Sequence, residues 1–264
     1  MNQSERRLFL IKSLIAEDAR LSGSEIPGDP KGQAALLRAL LNVREPREIG
    51  EGFLEVQDAY LREETRKKGI TKASDLQPLE TENGTDLCLW QGDITTLECD
   101  AIVNAANSGM TGCYVPNHRC IDNCIHTFAG LQLRNECAKL MRRQGAAEPT
   151  GSAKLTQAFN LPCKFVLHTV GPIIRQAKPT NFEREELASC YKACLKLAAE
   201  ASLESVAFCC ISTGEFRFPH EEAAQIAVAT VKAFTQSKTS VTKVVFNVFK
   251  DEDKRIYGRL LGAN

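Results

Sequence analysis

From about residue 80 onward, short β-rich runs alternate with stretches that have the apolar spacing of helices. The predicted strands are DLCLWQG (86–92), CDAIVN (99–104), KFVLHTV (164–170), SVAFCCI (205–211) and TKVVFNVF (242–249). Helical spacing fills residues 121–143, 184–201 and 220–235. Such alternation predicts an α/β fold, with a mixed, largely parallel sheet covered by helices on both faces. Because ligands of such sheets bind at the carboxyl ends of the strands, we expect the functional residues in the loops that follow them.

The first 80 residues show only the apolar spacing of helices. Two segments that contain glycine and proline interrupt this spacing, PGDPKG at 27–32 and GITKASDLQP at 69–78. We therefore predict a helical extension over residues 1–80 that packs on an α/β domain over residues 81–264. The extension either covers apolar surface of that domain, which is the commoner arrangement, or helps to recognise substrate.

The charge of the chain is balanced, with 33 Lys and Arg residues against 33 Asp and Glu residues. This balance removes the electrostatic argument for a nucleic acid or an anionic membrane as a partner. The basic run at 66–68 is predicted to be the solvated end of a helix. No stretch approaches the roughly 20 apolar residues of a membrane helix, and the start MNQSERRLFL lacks the apolar core of a secretory signal. We expect a cytoplasmic protein.

The chain contains eleven cysteines, an odd number. Several of them lie inside apolar predicted strands, such as Cys88, Cys209 and Cys210, where a reduced thiol behaves as a small apolar side chain. Most are therefore predicted to be reduced core residues, as is usual in a reducing compartment.

Four segments at predicted strand ends contain small and polar residues: GDIT (92–95), NAANS (104–108), HTVGP (168–172) and ISTGEFRFP (211–219). Small residues leave backbone amides free to bind phosphate, and STG before Phe216 and Phe218 suits a diphosphate loop beside an aromatic shelf. Taken singly, each segment could be an ordinary turn, and Asp93 could be a helix cap. The chain has neither a GxGxxG nor a GxxxxGK[ST] motif, so standard dinucleotide and Walker-type nucleotide folds are not supported.

In this order and at these intervals, the four segments resemble the macrodomain family over residues 86–262. The resemblance implies a three-layer α/β/α fold that binds ADP-ribose. It implies that Asp93, beside Ile94 in the same substrate site, accepts a hydrogen bond from the adenine amino group, and that Asn107 contacts the distal ribose. It also implies that one backbone segment wraps the diphosphate, with Phe216 against the ribose and phosphate; this segment comprises Ser212, Thr213, Gly214, Glu215 and Phe216.

The segment IDNCIHTFAG (121–130) resembles the helix start of macrodomains that hydrolyse ADP-ribosyl bonds. The resemblance places Asp122 at the acidic position that acts in catalysis there, with Asn107 fixing the ribose. From the sequence pattern alone, Asp122 could instead stabilise the helix start as an acidic residue. Where those enzymes have several glycines, this chain has CYVPNHRC, a departure that resembles the zinc-dependent microbial subgroup of the family.

Cys113, His118 and Cys120 form a C-x4-H-x-C cluster immediately before the predicted helix. Thiolate and imidazole are preferred zinc ligands, and a catalytic zinc site has three protein ligands and one open position. We therefore predict one Zn²⁺ per chain at this cluster, against the alternative of reduced cysteines beside a surface histidine. Cys124 is a conceivable further ligand but has the spacing of a core residue. His126 lies on the same helix face as Asp122 and either orients it or fills the core.

The resemblance implies a hydrolase that removes mono-ADP-ribose from acidic protein side chains with the help of zinc. It also implies a possible protein partner, a lipoyl-carrier protein modified by a sirtuin-type ADP-ribosyltransferase. Two alternatives stay open. The first is a non-hydrolytic module that binds ADP-ribose or ADP-ribosylated protein, with a structural zinc ion or none. The second is a hydrolase of small molecules such as acylated ADP-ribose.

Overall fold

The N-terminal part of the chain forms three helices, α1 (Gln3–Ala16), α2 (Pro30–Val43) and α3 (Glu51–Lys68), in a computed structural model that describes residues 1–263. Helix α2 begins with proline at its first position, and the Asp29 carboxylate before it accepts a hydrogen bond from the Gly32 amide at 2.8 Å. The three helices share an apolar cluster, whose buried members are Leu10, Ile11, Leu14, Leu37, Leu40, Leu41, Phe53, Tyr60, Leu61 and Leu131.

Nine strands follow: β1 (Thr71–Lys72), β2 (Glu80–Glu82), β3 (Thr85–Gln91), β4 (Leu97–Glu98), β5 (Ala101–Ala106), β6 (Ala153–Gln157), β7 (Phe165–Val170), β8 (Ser205–Phe208) and β9 (Lys243–Val248). Seven of them form one sheet in the order β2-β3-β9-β8-β5-β7-β6. The five inner strands are parallel, and the edge strands β2 and β6 are antiparallel to their neighbours. Strands β1 and β4 form a separate parallel pair. The predicted mixed, largely parallel sheet is confirmed.

Five more helices lie between or after the strands: α4 (Ile121–Ala129), α5 (Leu131–Gln144), α6 (Asn181–Glu200), α7 (His220–Thr235) and α8 (Asp251–Leu260). The helical stretch predicted over 121–143 is divided at Gly130, whose φ of 94° ends α4 and begins α5. Among residues 1–263, no helix has the length and apolar character needed to cross a membrane. The three-layer α/β/α prediction is confirmed, and the domain boundary between residues 80 and 81 stays a prediction.

The five inner strands bring four connecting loops to one edge of the sheet. Since β8, β5 and β7 are parallel neighbours, the loops that follow them lie side by side at their carboxyl ends. The predicted segments NAANS, HTVGP and ISTGEFRFP are these loops, and GDIT follows β3 at the same edge. The inner strands themselves are almost wholly buried, so polar residues within them point to a specific role.

Candidate functional site

Asp122 lies in the first turn of α4 with a side chain that is 5% exposed. Its two carboxylate oxygens accept hydrogen bonds from two asparagines, Oδ1 from Nδ2 of Asn104 at 2.9 Å and Oδ2 from Nδ2 of Asn107 at 3.1 Å. The cap position of α4 is taken by Cys120, whose Sγ accepts from the Asn123 amide at 3.4 Å. The Asp122 carboxylate is thus held by asparagines of the β5 region, which distinguishes it from a helix cap.

Burial raises the pKa of Asp122 to about 6, against the lowering effect of the hydrogen bond from Asn104, the charge of Arg134 and the hydrogen bond from Asn107. His126, one helical turn later, has its Nε2 3.6 Å from Oδ1 of Asp122. Burial also lowers the pKa of His126 well below its usual value, so the imidazole is neutral beside the carboxylate. The expected shared face of Asp122 and His126 is therefore present.

Asn104 and Asn107 have different surroundings. Asn104 is fully buried in β5, whereas Asn107 is partly exposed in the loop and accepts from the Gly109 amide at 2.9 Å through Oδ1. A role in the site was predicted for Asn107 but not for Asn104. The signal that could have indicated Asn104 is a polar side chain within an otherwise apolar strand.

The metal loop, residues 107–120, connects β5 to α4 and brings Cys113, His118 and Cys120 together. Their ligand atoms all lie within 4.8 Å of one another, and Sγ of Cys113 is 3.5 Å from Nδ1 of His118. In a tetrahedral zinc site, sulfur and nitrogen ligands are about 3.6 Å apart. All three side chains are half-buried. The donor atoms and their spacing therefore fit a zinc ion.

A bound cation would change the protonation of the thiols in the metal loop. Burial, together with the neighbouring thiol of Cys113 and the carboxylate of Asp122, raises the pKa of Cys120 to about 12. A divalent cation beside these groups would have the opposite effect, because it stabilises thiolates.

Gly112 allows the loop to turn at a φ of 86°, and a Cβ there would lie 2.7 Å from Cγ of the His126 ring.

A second group of potential ligands lies beneath the site: His126, Cys137 and His168. All three are buried, and His168 already has polar neighbours at both ring nitrogens. Its Nδ1 is 3.1 Å from Nδ2 of Asn104 and its Nε2 is 2.9 Å from Oγ1 of Thr156. These contacts are those of a hydrogen-bonded core histidine with a structural role.

The phosphate loop, residues 209–219, connects β8 to α7. Ser212 has a φ of 65° and a buried Oγ that makes no hydrogen bond within residues 1–263. Gly171, after β7, approaches it so closely that a Cβ would lie 2.0 Å from this Oγ. Thr213 is partly exposed, Gly214 and Glu215 are exposed, and Phe216 is half-buried. The loop thus exposes backbone between Ser212 and Phe216, as a phosphate-binding loop requires.

The prediction that Phe216 and Phe218 form an aromatic shelf is correct for at most one of the two. Phe218 is 1% exposed and belongs to the main apolar core, so it cannot lie against a ligand. Phe216 is half-buried, and its carbonyl accepts from the Ile174 amide at 2.9 Å. Burial of Phe218 anchors the loop instead, because its amide also donates to the Ser212 carbonyl at 2.9 Å.

Asp93 follows β3 and accepts two hydrogen bonds from Thr95 through Oδ1, from the amide at 3.0 Å and from Oγ1 at 2.6 Å. Its Oδ2 is 2.9 Å from Nζ of Lys68, the last residue of α3. This ammonium also lies 3.2 Å from the centre of the Phe128 ring. The basic run at 66–68 forms the exposed end of α3, as predicted, and Lys68 in addition pairs with Asp93. Ile94 is 2% exposed, which leaves its side chain little surface for a ligand.

Phe249 was predicted to lie in the strand at 242–249, and no role in the site was predicted for it. It follows β9 at the carboxyl edge, between the neighbouring strands β3 and β8, and is 77% exposed. Its carbonyl accepts from Nε2 of Gln91 at 3.3 Å, which places it beside the Asp93 loop. An exposed aromatic at a ligand-binding edge offers a stacking surface for a flat ring.

Comparison with known proteins agrees with this geometry. Residues 103–227 match the Macro domain family. A protein-ADP-ribose hydrolase of Treponema medium is 55% identical over 261 residues, covering 99% of this chain and all of that protein. A Staphylococcus aureus (strain MSSA476) protein of the same name is 51% identical over 222 residues, covering 84% of this chain and 82% of that one.

The fold is also found in a solved structure. The Trypanosoma brucei macrodomain in complex with ADP-ribose superposes with a TM-score of 0.66 at 25% identity, covering 89% of this chain and 97% of that one. The identity to the Treponema protein extends over nearly the whole of both chains and therefore includes the N-terminal helices. The chain belongs to the macrodomain family.

Proposed function

We propose that this protein hydrolyses the bond between mono-ADP-ribose and an acidic protein side chain, with one zinc ion held by the metal loop. The observation that carries the proposal is the position of Asp122, a buried carboxylate held by Asn104 and Asn107 on the helix that the metal loop enters. The relatives named protein-ADP-ribose hydrolase, at 55% and 51% identity, support the same activity.

Asp122 is the proposed general base. With a pKa of about 6, its carboxylate is ionised at neutral pH and can take a proton from an attacking water molecule. The water oxygen bonds to the anomeric carbon of the distal ribose, the bond from that carbon to the side-chain oxygen breaks, and the side chain leaves as a carboxylate; the water proton is taken up by Asp122. Asn104 and Asn107 hold the base in one orientation, and Asn107, which is partly exposed, also fixes the distal ribose.

Cys113, His118 and Cys120 would hold the zinc ion. When bound, the ion supplies positive charge that stabilises developing negative charge and helps to position substrate, although two thiolate ligands make it a weaker Lewis acid than three histidines would. An ester with a carboxylate leaving group needs less help to break than an amide-like bond. The donor set therefore matches an acidic-residue substrate better than a nitrogen-linked one.

The remaining site residues bind the nucleotide part of the substrate. Asp93 accepts from the adenine amino group, and Phe249 stacks on the adenine ring, because both lie at the β3–β9 side of the edge. The phosphate loop binds the diphosphate through its backbone amides, and the buried Oγ of Ser212 is available as a further partner. From the resemblance to the zinc-containing subgroup, we also propose a lipoyl-carrier protein modified by a sirtuin-type transferase as the natural substrate.

The test is release of ADP-ribose from a protein that is mono-ADP-ribosylated on acidic side chains, with enzyme stripped by a strong chelator and with enzyme reloaded with zinc. We expect release to vanish on stripping, to return with zinc, and to fall at least 100-fold in Asp122→Asn. Tight ADP-ribose binding without release in any state would leave a binding module. Release from acylated ADP-ribose, with none from modified protein, would point to a small-molecule hydrolase.

A further inference from the structure

The first half of the metal loop is anchored by residues of the α/β domain itself. Nδ2 of Asn123, in α4, donates to the carbonyls of Cys113 at 3.2 Å and Val115 at 3.1 Å. Nε of Arg134, in α5, donates to the carbonyl of Thr111 at 2.8 Å. These contacts fix the backbone up to the first metal-binding residue and shortly beyond it.

The second half of the loop, which carries His118, is anchored by α2 of the N-terminal extension. Nη2 of Arg38 donates to the His118 carbonyl at 2.9 Å. Oδ1 of Asn42 accepts from the Asn117 amide at 3.0 Å. Asn117 has a φ of 56°, in the left-handed region, which asparagine adopts more readily than most non-glycine residues. Helix α2 therefore holds the peptide that follows His118 and the peptide that precedes Asn117, on either side of the His118 backbone.

Arg38 and Asn42 are one helical turn apart, so they lie on the same face of α2. Each also binds α4: Nη2 of Arg38 donates to Oδ1 of Asn123 at 2.9 Å, and Nδ2 of Asn42 donates to Oγ1 of Thr127 at 2.9 Å. Asn42 is 1% exposed. A buried side-chain amide whose oxygen and nitrogen are both hydrogen-bonded is a specific anchoring contact. A helix that only covers apolar surface needs no such contact.

We propose that α2 is a positioning element of the metal site, with Arg38 and Asn42 as positioning residues that hold His118 where it converges with Cys113 and Cys120. The proposal rests on the proposed function, since it assumes a metal at these three residues. It gives the extension a role beyond covering apolar surface. Without α2, His118 would have to be ordered at the moment of metal binding, which weakens the affinity.

The test measures zinc affinity by competition with a chromophoric chelator, in the full-length protein. We expect Arg38→Met to weaken zinc binding about 10- to 100-fold, the usual effect of removing a group that orients a metal ligand. Arg38→Lys, which keeps one charged donor, should give an intermediate value. The matched control is Arg7→Met: Arg7 donates to Gln33 at 3.1 and 3.0 Å within the extension, and its loss should change zinc affinity less than threefold.

Two further measurements distinguish the loss of a positioning contact from a general loss of protein structure. The Kd for ADP-ribose of metal-free Arg38→Met should stay within about threefold of the unaltered protein, because the adenine and phosphate contacts lie elsewhere. Asn42→Ala should repeat the loss of zinc affinity, whereas Thr127→Val, which removes the other partner of Asn42, should not. If Arg38→Met does not fold, this second pair of variants decides the question.

The outcomes distinguish this inference from the function on which it rests. If the unaltered protein binds zinc and Arg38→Met and Asn42→Ala bind it equally tightly, the positioning role is wrong while the zinc hydrolase stands. Equal losses in Arg7→Met and Arg38→Met would also overturn it, because loosening of the extension would then explain both. If the unaltered protein binds no zinc, the metal in the proposed function fails and this inference fails with it.

Discussion

Nε2 of the His118 imidazole lies 3.4 Å from Oε1 of Glu215, so the metal loop and the phosphate loop meet at this pair of residues. The other ring nitrogen, Nδ1, faces Sγ of Cys113 at 3.5 Å. A carboxylate at the far nitrogen of a metal-binding histidine fixes the orientation of the ring and increases its basicity. The phosphate loop thereby contributes a side chain next to the proposed metal site.

Glu215→Gln should weaken zinc binding by roughly tenfold, the lower end for such partners, because the Glu215 carboxylate is largely exposed. Chelator competition measures this effect. ADP-ribose affinity should be unchanged, since the variant keeps the backbone amide that the diphosphate would contact. Glu252→Gln, at an exposed carboxylate of α8, is the control. An unchanged zinc affinity in Glu215→Gln would show that the contact does not support the metal.

Asp93→Ala should weaken ADP-ribose binding about 10- to 100-fold, the value of a hydrogen bond to a charged group. Calorimetry with ADP-ribose and with its hypoxanthine analogue, which has a carbonyl in place of the amino group, isolates this bond. The analogue should bind the unaltered protein weakly and show little further loss in Asp93→Ala. Lys68→Met is the matched control, because it removes the ion pair at 2.9 Å but leaves the acceptor. Equal losses for both ligands would argue against contact with the amino group.

Gly171→Ala should displace the phosphate loop, because the new Cβ would lie 2.0 Å from Oγ of Ser212 and 2.9 Å from Cγ2 of Ile211. We expect weaker ADP-ribose binding together with a lower melting temperature. Gly214→Ala is a matched control in the loop itself, since a Cβ there meets no atom within 4 Å. If both variants bind ADP-ribose normally, the close approach of β7 does not shape the site.

The stability of the protein should fall in acid through His168. Burial lowers the pKa of His168 to about 3, whereas an unfolded histidine has a pKa of about 6.5. Between these values the unfolded state binds more protons, so stability is complete above pH 6.5 and decreases as the pH falls towards 3. The loss is about 1.4 kcal/mol per pH unit within this window.

Urea unfolding at several pH values between 4.5 and 7 measures this dependence. His168→Gln should be less stable at pH 7, because hydrogen bonds of the imidazole are lost, but its stability should change less with pH. The two proteins are therefore compared by the slope of the free energy of unfolding against pH. His126 has a lowered pKa for the same reason and keeps part of the slope in the variant. An identical slope in both proteins would show that His168 is protonated in the folded state.

The boundaries of the main strands were largely predictable because buried strands of a parallel sheet are continuous apolar runs. The strand predicted at 86–92 is β3 at Thr85–Gln91, and that at 164–170 is β7 at Phe165–Val170. Strands β1 and β4, of two residues each, were missed, as was helix α8. Strands β2 and β6 were missed as well. The two strands lie at the sheet edges and mix polar with apolar residues, so their pattern is weak.

The sequence by itself determined the α/β fold and identified Cys113, His118 and Cys120 as candidate metal ligands, because strand periodicity and ligand spacing are local properties of the chain. Only the tertiary structure decided which distant side chains complete the site. Lys68 reaches Asp93, Arg38 reaches the His118 carbonyl 80 residues away, and Glu215 faces the His118 ring. Such partners depend on how helices and loops pack in space, so no local sequence pattern predicts them.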